Sequence, residues 1–299
     1  MLNPKEPYET VTVIIVTYNS ASCIRECLAS VIAQTNVTAE IIVVDNASQD
    51  DTVNVVRSFG ENVKLVVNPD NVGFGRGCNQ GFAISSGMFI YFLNPDARLI
   101  QNDALALLCR ALQLHPNWGL VGTRVVSATG GDESGPAADY PGQFRAKNGF
   151  ARLPGNIAWV IGASMFLRRE VFGALNGFDP DFFLYSEETD LCLRLRKLGH
   201  EIGYAANVSV RHIGAVSEQG LDPYHTWTRK MNGIHLFWKK HYTLQDAARL
   251  VRRDLRRARF RMIINALLAA FQPPRSSAWQ KYRRHLAIRD ASARFLSSG

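Results

Sequence analysis

The chain has 299 residues, 46% of them hydrophobic, and a formal net charge of +8, which describes a globular protein able to bury a sizeable core. Its five cysteines, Cys23, Cys27, Cys78, Cys109 and Cys192, are odd in number and lack a C-x-x-C pair, which excludes a disulfide framework and a zinc site and leaves them as reduced packing residues. No run reaches the ~20 apolar residues of a membrane span, and no charged n-region and apolar h-region precede Val11, so a cytoplasmic protein is expected.

Val11 to Val16 is a β-branched run that ends in Thr17-Tyr18-Asn19-Ser20, and Cys23 to Gln34 follows with apolar residues at helical spacing. Ile41 to Val44 predicts a second buried strand, closed by Asp45-Asn46, with a short helix over Thr52 to Phe59. Val63 to Val67 is a third strand. It leads into a glycine-rich loop, Asn71 to Gly81, and a helix through Ser85. The G-x-G-x-G run there matches neither a dinucleotide fingerprint nor a P-loop, so its glycines are expected to allow close approach of a ligand or of neighbouring backbone. Phe89 to Leu93 is a fourth buried strand, stopped by Asn94-Pro95-Asp96. Repeated strand and helix alternation with uniformly apolar strands predicts an α/β fold with a doubly wound, mostly parallel sheet. In such sheets ligands gather outside the carboxyl ends of the strands, so Asp96 is a candidate for holding a cation at a solvent-facing strand end.

Asp103 to His115 predicts a helix and Leu120 to Val126 a strand. The stretch from Ser127 to Asn156 is an aperiodic loop that could cover a second substrate. Trp159 to Leu167 returns to strand character. Then comes Phe182 to Arg196, where Ser186 reads as a helix N-cap and Glu187, Glu188 and Asp190 crowd the first turn. An apolar setting and like-charged neighbours would raise a carboxyl pKa there toward the working range of a general base. Ile202 to Ala205 and Val208 to Arg211 predict two short strands, the second leading to His212.

These residues, taken in order, resemble glycosyltransferase family 2, inverting enzymes of the GT-A fold, and within it the rhamnosyltransferase-type branch. The resemblance runs from about Val11 to Ser217. It rests on Thr17-Tyr18-Asn19, Val43-Val44-Asp45-Asn46-Ala47-Ser48, Asn71-x-Gly73 with Asn79-x-Gly81, Asn94-Pro95-Asp96, Trp159-x-x-Gly162-Ala163, the Tyr185 to Arg194 acidic segment, and His212. It implies a catalytic domain over 1–217 and a C-terminal helical extension over 218–299. Thr17, Tyr18, Asn19, Asp45, Asn46, Asn71, Gly73, Asn79, Asn94 and Asp96 would bind a nucleotide-sugar donor, a dTDP-sugar in preference to a UDP-sugar, with dTDP-rhamnose the expected donor. Trp159, Gly162 and Ala163 would meet a glycan or polyprenyl-linked acceptor of cell-surface polysaccharide synthesis. Asp96 and His212 would hold Mg²⁺ or Mn²⁺, and the catalytic base would be Glu187, Glu188 or Asp190. Asn94 stands where the family's metal motif commonly has a second Asp, and Glu188 where it has the catalytic Asp.

Two other readings compete. A nucleotidylyltransferase would want a glycine-rich loop with a basic residue after the first strand, which Thr17-Tyr18-Asn19-Ser20 does not supply. A nucleic-acid-binding role resting on the basic tail has no recognised motif behind it, so no nucleic-acid partner is expected. Beyond Tyr242, Leu244, Ala248, Val251, Leu255, Ala258 and Met262 recur at steps of four and three, with Arg249, Arg252, Arg253, Arg256 and Arg257 on the other faces. Together with the apolar run from Met262 to Phe271, this predicts a cationic amphipathic helix held peripherally on the anionic inner face of the cell membrane.

Overall fold

The computed structural model describes residues 9–127, 131–146, 149–214, 222–270, 272 and 276–297. Two compact units emerge: Met1–Asp139, Leu153–Phe183 and Glu187–Ser217 form the first, and Tyr140–Arg152, Leu184–Ser186 and Glu218–Gly299 the second. The predicted boundary between 217 and 218 lies outside the described residues.

In the first unit the elements run β1 (Thr10–Thr17), α1 (Ile24–Ile32), β2 (Thr38–Asp45), α2 (Thr52–Arg57), β3 (Lys64–Val67), α3 (Phe74–Ala83), β4 (Phe89–Leu93), β5 (Ala97–Leu99), α4 (Ala104–Leu114), β6 (Trp118–Ser127), β7 (Asp132–Ser134), β8 (Ser164–Arg168), α5 (Arg169–Ala174), α6 (Glu187–Lys197) and β9 (Glu201–His212). The sheet is ordered β3-β2-β1-β4-β8-β6-β9-β5, with β7 paired to β6. Its first half, β3-β2-β1-β4, is parallel; β8 then joins β4 antiparallel, and β5 joins β9 antiparallel.

Alternate residues of each apolar strand feed opposite cores, which is why the strands show no polar alternation. Val13, Ile15, Val43 and Tyr91 pack with α1 and α4, whereas Ile14, Val16, Val44 and Phe92 pack with α3, α5 and α6. Glycine in α3 brings its axis close to the sheet. A Cβ on Gly77 would come within 2.9 Å of Val16, and one on Gly81 within 2.6 Å of Ile14. All five cysteines are free and buried.

Several expectations are corrected. The glycine-rich stretch is not a loop through Gly81, because the helix already starts at Phe74 and its glycines serve packing on β1 and Phe178. The two short strands after Gly199 are one strand, β9, which keeps its parallel pairing with β6 across an irregularity between Thr123 and Arg124. Strand structure after the long loop begins only at Ser164. Trp159 makes a single bridge to Ala137, and the chain turns through 161–163 before entering the sheet. The loop itself carries β7 and two 3-10 turns, Gln143–Arg145 and Phe150–Arg152.

The second unit contains α7 (Pro223–His241), α8 (Leu244–Ala269) and α9 (Ser277–Ser297). Asp222 caps α7 by accepting from Tyr224 N at 2.9 Å, with Pro223 in the first turn, where its missing N–H costs nothing. Tyr140, Phe150, Phe237 and Tyr242 form its aromatic centre, and the indole of Trp238 and the hydroxyl of Tyr242 both donate to Pro141 O at 2.8 Å. The predicted α8 stripe is not a free face: Val251 and Ala258 are buried within the unit, while Leu244 is 74% exposed and separate from the rest. Phe271 lies outside the described residues. Among the described residues no helix is long and apolar enough to cross a membrane.

Candidate active site

Parallel pairing brings Thr17 level with Asp45 at the carboxyl ends of β1 and β2. Asp45 is fully buried and accepts from Thr17 Oγ1 at 2.8 Å, from Ser48 Oγ at 2.5 Å and from Ser48 N at 2.9 Å. Asn19, at φ 49°, accepts from Gln49 N at 2.7 Å, and its own N–H donates to Ser48 Oγ at 2.9 Å. One buried carboxylate therefore fixes both loops that frame these strand ends, leaving Tyr18 as the exposed side chain between them.

Asn46 is buried in an amide chain: it donates to Gly73 O at 3.1 Å and accepts from Asn68 at 2.9 Å, and Asn68 exchanges hydrogen bonds with Gln80. Asn68 and Gln80 carry no signal in the sequence, since lone amides show no periodicity. Asn71 accepts from Gly73 N at 3.0 Å, and Gly73 takes φ 91° to pass under Phe183 O, where a Cβ would collide. The amide of Asn79 is engaged at both ends by the backbone of Phe178, at 2.8 and 2.9 Å, so it ties α3 to that loop.

The second cluster depends on β5, which the sequence reading lacks. Asn94-Pro95-Asp96 is the connection from β4 to β5, closed by Ala97 N donating to Asn94 O at 3.1 Å. Antiparallel pairing of Ala97 with His212 then places Asp96 Oδ1 3.1 Å from His212 Nε2, with Asn94 Nδ2 3.4 Å from the same nitrogen. Asp96 is 9% exposed, so the expected solvent-facing strand end is instead a buried turn between two strands. The thiol of Cys23 registers that carboxylate: burial first, and Asp96 next, push its pKa to about 12. Cys27 lies under the same turn, its Sγ donating to Asn94 O at 3.5 Å.

Asp96 and His212 suit one kind of metal site. Two atoms each about 2.1 Å from a common ion and at right angles around it stand roughly 3 Å apart, as these do. Among the described residues no cluster of three or more His, Cys, Asp or Glu could hold a metal. A set of one carboxylate and one imidazole would leave the remaining positions of a divalent cation to water or phosphate oxygens.

The three acids of α6 separate by environment. Asp190 is 1% exposed and accepts from Arg194 Nε at 2.7 Å, while the rest of that guanidinium donates to Leu175 O at 2.9 Å and Gly177 O at 3.0 Å. Glu187 is 5% exposed, and its Oε2 has no hydrogen-bond partner among the described residues; burial first, and the Glu188 charge next, hold its pKa well above the usual carboxylate range. Glu188 is the one of the three that is only half-buried. It lies alongside Gly162, where a Cβ would sit 3.5 Å from its own. The neighbouring Ala163 O accepts from Asn94 N at 3.0 Å, which links the Glu188 side of the site to the Asp96 turn. Ser186, at φ 72°, is left-handed and lacks the extended backbone of an N-cap, which corrects the capping expectation. Trp159 donates from Nε1 to Asp139 O at 3.1 Å.

The profile described as glycosyl transferase family 2 matches residues 12–175. An O-antigen chain rhamnosyltransferase of Salmonella anatum is 27% identical over 216 residues, covering 67% of this chain and 65% of that protein. The N-acetylglucosaminyl-diphospho-decaprenol L-rhamnosyltransferase of Mycobacterium tuberculosis is 26% identical over 301 residues, covering 85% of this chain and 97% of its own. Among solved structures, a mannosyltransferase from Pyrobaculum calidifontis in complex with GDP-Man and Mn²⁺ superposes with a TM-score of 0.60 at 20% identity, covering 98% of this chain and 91% of its own. S. aureus TarS in complex with UDP-GlcNAc gives 0.57 at 15% identity, covering 97% and 92%.

Proposed function

The chain belongs to glycosyl transferase family 2, and on that premise we propose that it is an inverting, metal-dependent rhamnosyltransferase using dTDP-rhamnose. Its acceptor is a hydroxyl of a glycan or polyprenyl-linked saccharide in cell-surface polysaccharide synthesis, reached at the cytoplasmic face of a membrane. The rhamnosyl donor is supported by the two relatives above, and a catalytic part over 1–217 by the span of the motifs. The observation that carries the reading is the meeting of Asp96 and His212 at 3.1 Å at the turn after β4, tied through Asn94 and Ala163 to the half-buried acid Glu188.

In this reading Asp96 and His212 would hold a divalent cation, which would supply Lewis-acid stabilisation of the charge on the departing nucleoside diphosphate. Thr17 to Asn19 and Asp45 shape the nucleoside end, with Tyr18 the exposed ring against it. Asn94, a neutral amide beside His212, would add no charge to such a site. Glu188 accepts the proton of the acceptor hydroxyl. That oxygen forms its bond to the anomeric carbon from the face opposite the donor phosphate, and the electron pair of the breaking bond goes to the diphosphate, giving inversion. Glu187, buried and with its carboxyl pKa raised by that burial and by Glu188, and Asp190, held by Arg194, are assigned to support.

The test is release of nucleoside diphosphate from a panel of dTDP-, UDP- and GDP-sugars, with metal titrated into chelated protein. Turnover with dTDP-rhamnose is expected only when Mg²⁺ or Mn²⁺ is restored, and His212→Ala should raise the metal concentration for half-activation roughly tenfold or more. Full activity in excess chelator removes the metal role; turnover with another donor alone removes the rhamnosyl assignment.

A further inference from the structure

The second unit carries two features that the transfer reaction does not use, both on α8. Along its second half Phe260, Ile263, Ile264, Leu267 and Leu268 are all exposed, Phe260 at 67% and Leu267 at 63%. Steps of three and four place them on one side of the helix over roughly 12 Å of its length. In the preceding turns Arg252, Arg256 and Arg257 are exposed, and exposed Arg259 and Arg261 flank Phe260. The outer side of the helix thus changes from cationic to apolar along its axis.

Beside this face is a cavity of about 220 Å³ lined by Arg257 and Arg261 of α8, Arg284 and His285 of α9, and Trp227 of α7. Arg284 stacks on Trp227 with its guanidinium carbon 3.7 Å from the ring centre. His285 is 7% exposed and its Nδ1 has no hydrogen-bond partner among the described residues. The acid lining the cavity is Asp254, 3.7 Å from Arg253. Burial first, and the charge of Arg261 next, pull Arg284 down, and burial first, then Arg284 and Arg261, pull His285 down. Such a cluster is stabilised by an anion that accepts from several guanidiniums at once.

We propose that the second unit docks on an anionic lipid bilayer, with the Phe260-to-Leu268 side of α8 entering the acyl boundary and the Arg257, Arg261 and Arg284 cavity taking a headgroup phosphate. An amphipathic helix of this kind lies in the interface with its apolar side about 5–10 Å deep, where cations meet headgroups. Five side chains over so short a length fall well below the ~800 Å² per partner of a stable dimer, and the flanking arginines would repel their own copies. An exposed apolar face gives nothing to nucleic-acid phosphates. The inference deepens the reading of a membrane-borne acceptor, but its test needs no turnover, so either can fail alone.

The test is co-sedimentation of the full chain with vesicles of phosphatidylcholine alone and with added phosphatidylglycerol, at low and high salt, with and without free pyrophosphate. Light scattering and thermal midpoints accompany each variant. The chain is expected to pellet with phosphatidylglycerol vesicles and to be partly released by salt. Leu267→Ser should weaken partitioning roughly tenfold, and Arg261→Glu about tenfold or more. Both positions are exposed, so the thermal midpoints should stay put. Recovery of the parent chain in the supernatant with phosphatidylglycerol vesicles overturns the proposal, as does unchanged binding by both variants. Pyrophosphate binding without vesicle binding makes the cavity a free-anion site instead. Loss of a dimer in Leu267→Ser with vesicle binding intact makes the face a self-association surface.

Discussion

Glu188 and Asp190 lie two residues apart, and their substitution should fail in different ways. Asp190→Asn removes the charge from a buried pair in which the aspartate is 1% and the arginine 22% exposed. Breaking such a pair by neutralising one partner costs about 3–5 kcal/mol. Two further donations from Arg194, to Leu175 O and Gly177 O, survive the change, so the lower end, about 3 kcal/mol, is expected. For a domain of this size that lowers the melting temperature by roughly 6–12 °C. Glu188→Gln keeps the shape of a half-buried side chain that packs along Gly162, so its melting temperature should stay within about 1–2 °C of the parent. Its kcat should fall roughly 10²-fold or more with donor binding intact, because only the proton acceptor is lost. Thermal unfolding and single-turnover transfer on the same two proteins decide the matter. An Asp190→Asn protein that melts like the parent but does not turn over, beside a Glu188→Gln protein of near-parent activity, would refute both the assignment of the base and the anchoring role of Asp190.

Glu187 gives a pH signature. Its pKa in the folded protein is raised, by burial and then by Glu188, so between the unfolded value near 4.5 and the raised folded value the native state holds the extra proton and stability falls as pH rises. Glu187→Gln should therefore flatten the loss of stability from pH 5 to pH 8 and gain on the parent at the alkaline end, and denaturant midpoints that stay parallel across that range would contradict it. Gly81→Val should destabilise by about 2 kcal/mol or more, measured by urea unfolding, because a Cβ already stands 2.6 Å from Ile14 and two methyl groups would add to the overlap. An unchanged midpoint there would mean that α3 can withdraw from β1 freely.

Local sequence determined the first half of the fold. The runs of Val11 to Val16, Ile41 to Val44 and Phe89 to Leu93 can be stable only with both faces covered, which dictates a parallel sheet between helices and puts Thr17, Asp45 and Asn94 at its carboxyl edge. The order of motifs along the chain also carried the family. Tertiary structure alone decided the rest. Residues 94 and 212 are 118 positions apart, and the meeting of Asp96 with His212 comes from a three-residue strand, β5, too short to carry a period. Glu187, Glu188 and Asp190 are alike in composition and spacing. Helical geometry turns 187 and 190 toward one side and 188 toward another, but which side is covered depends on the segments that pack there, including Gly162 and the Leu175 to Gly177 turn. The same holds for α8. Its repeat every three and four residues marks more than one apolar stripe, and only the packing of α9 and α7 decides that Val251 and Ala258 are covered while Phe260 and Leu267 are not. Periodicity tells which residues share a face; burial is a sum over distant partners that no local pattern contains.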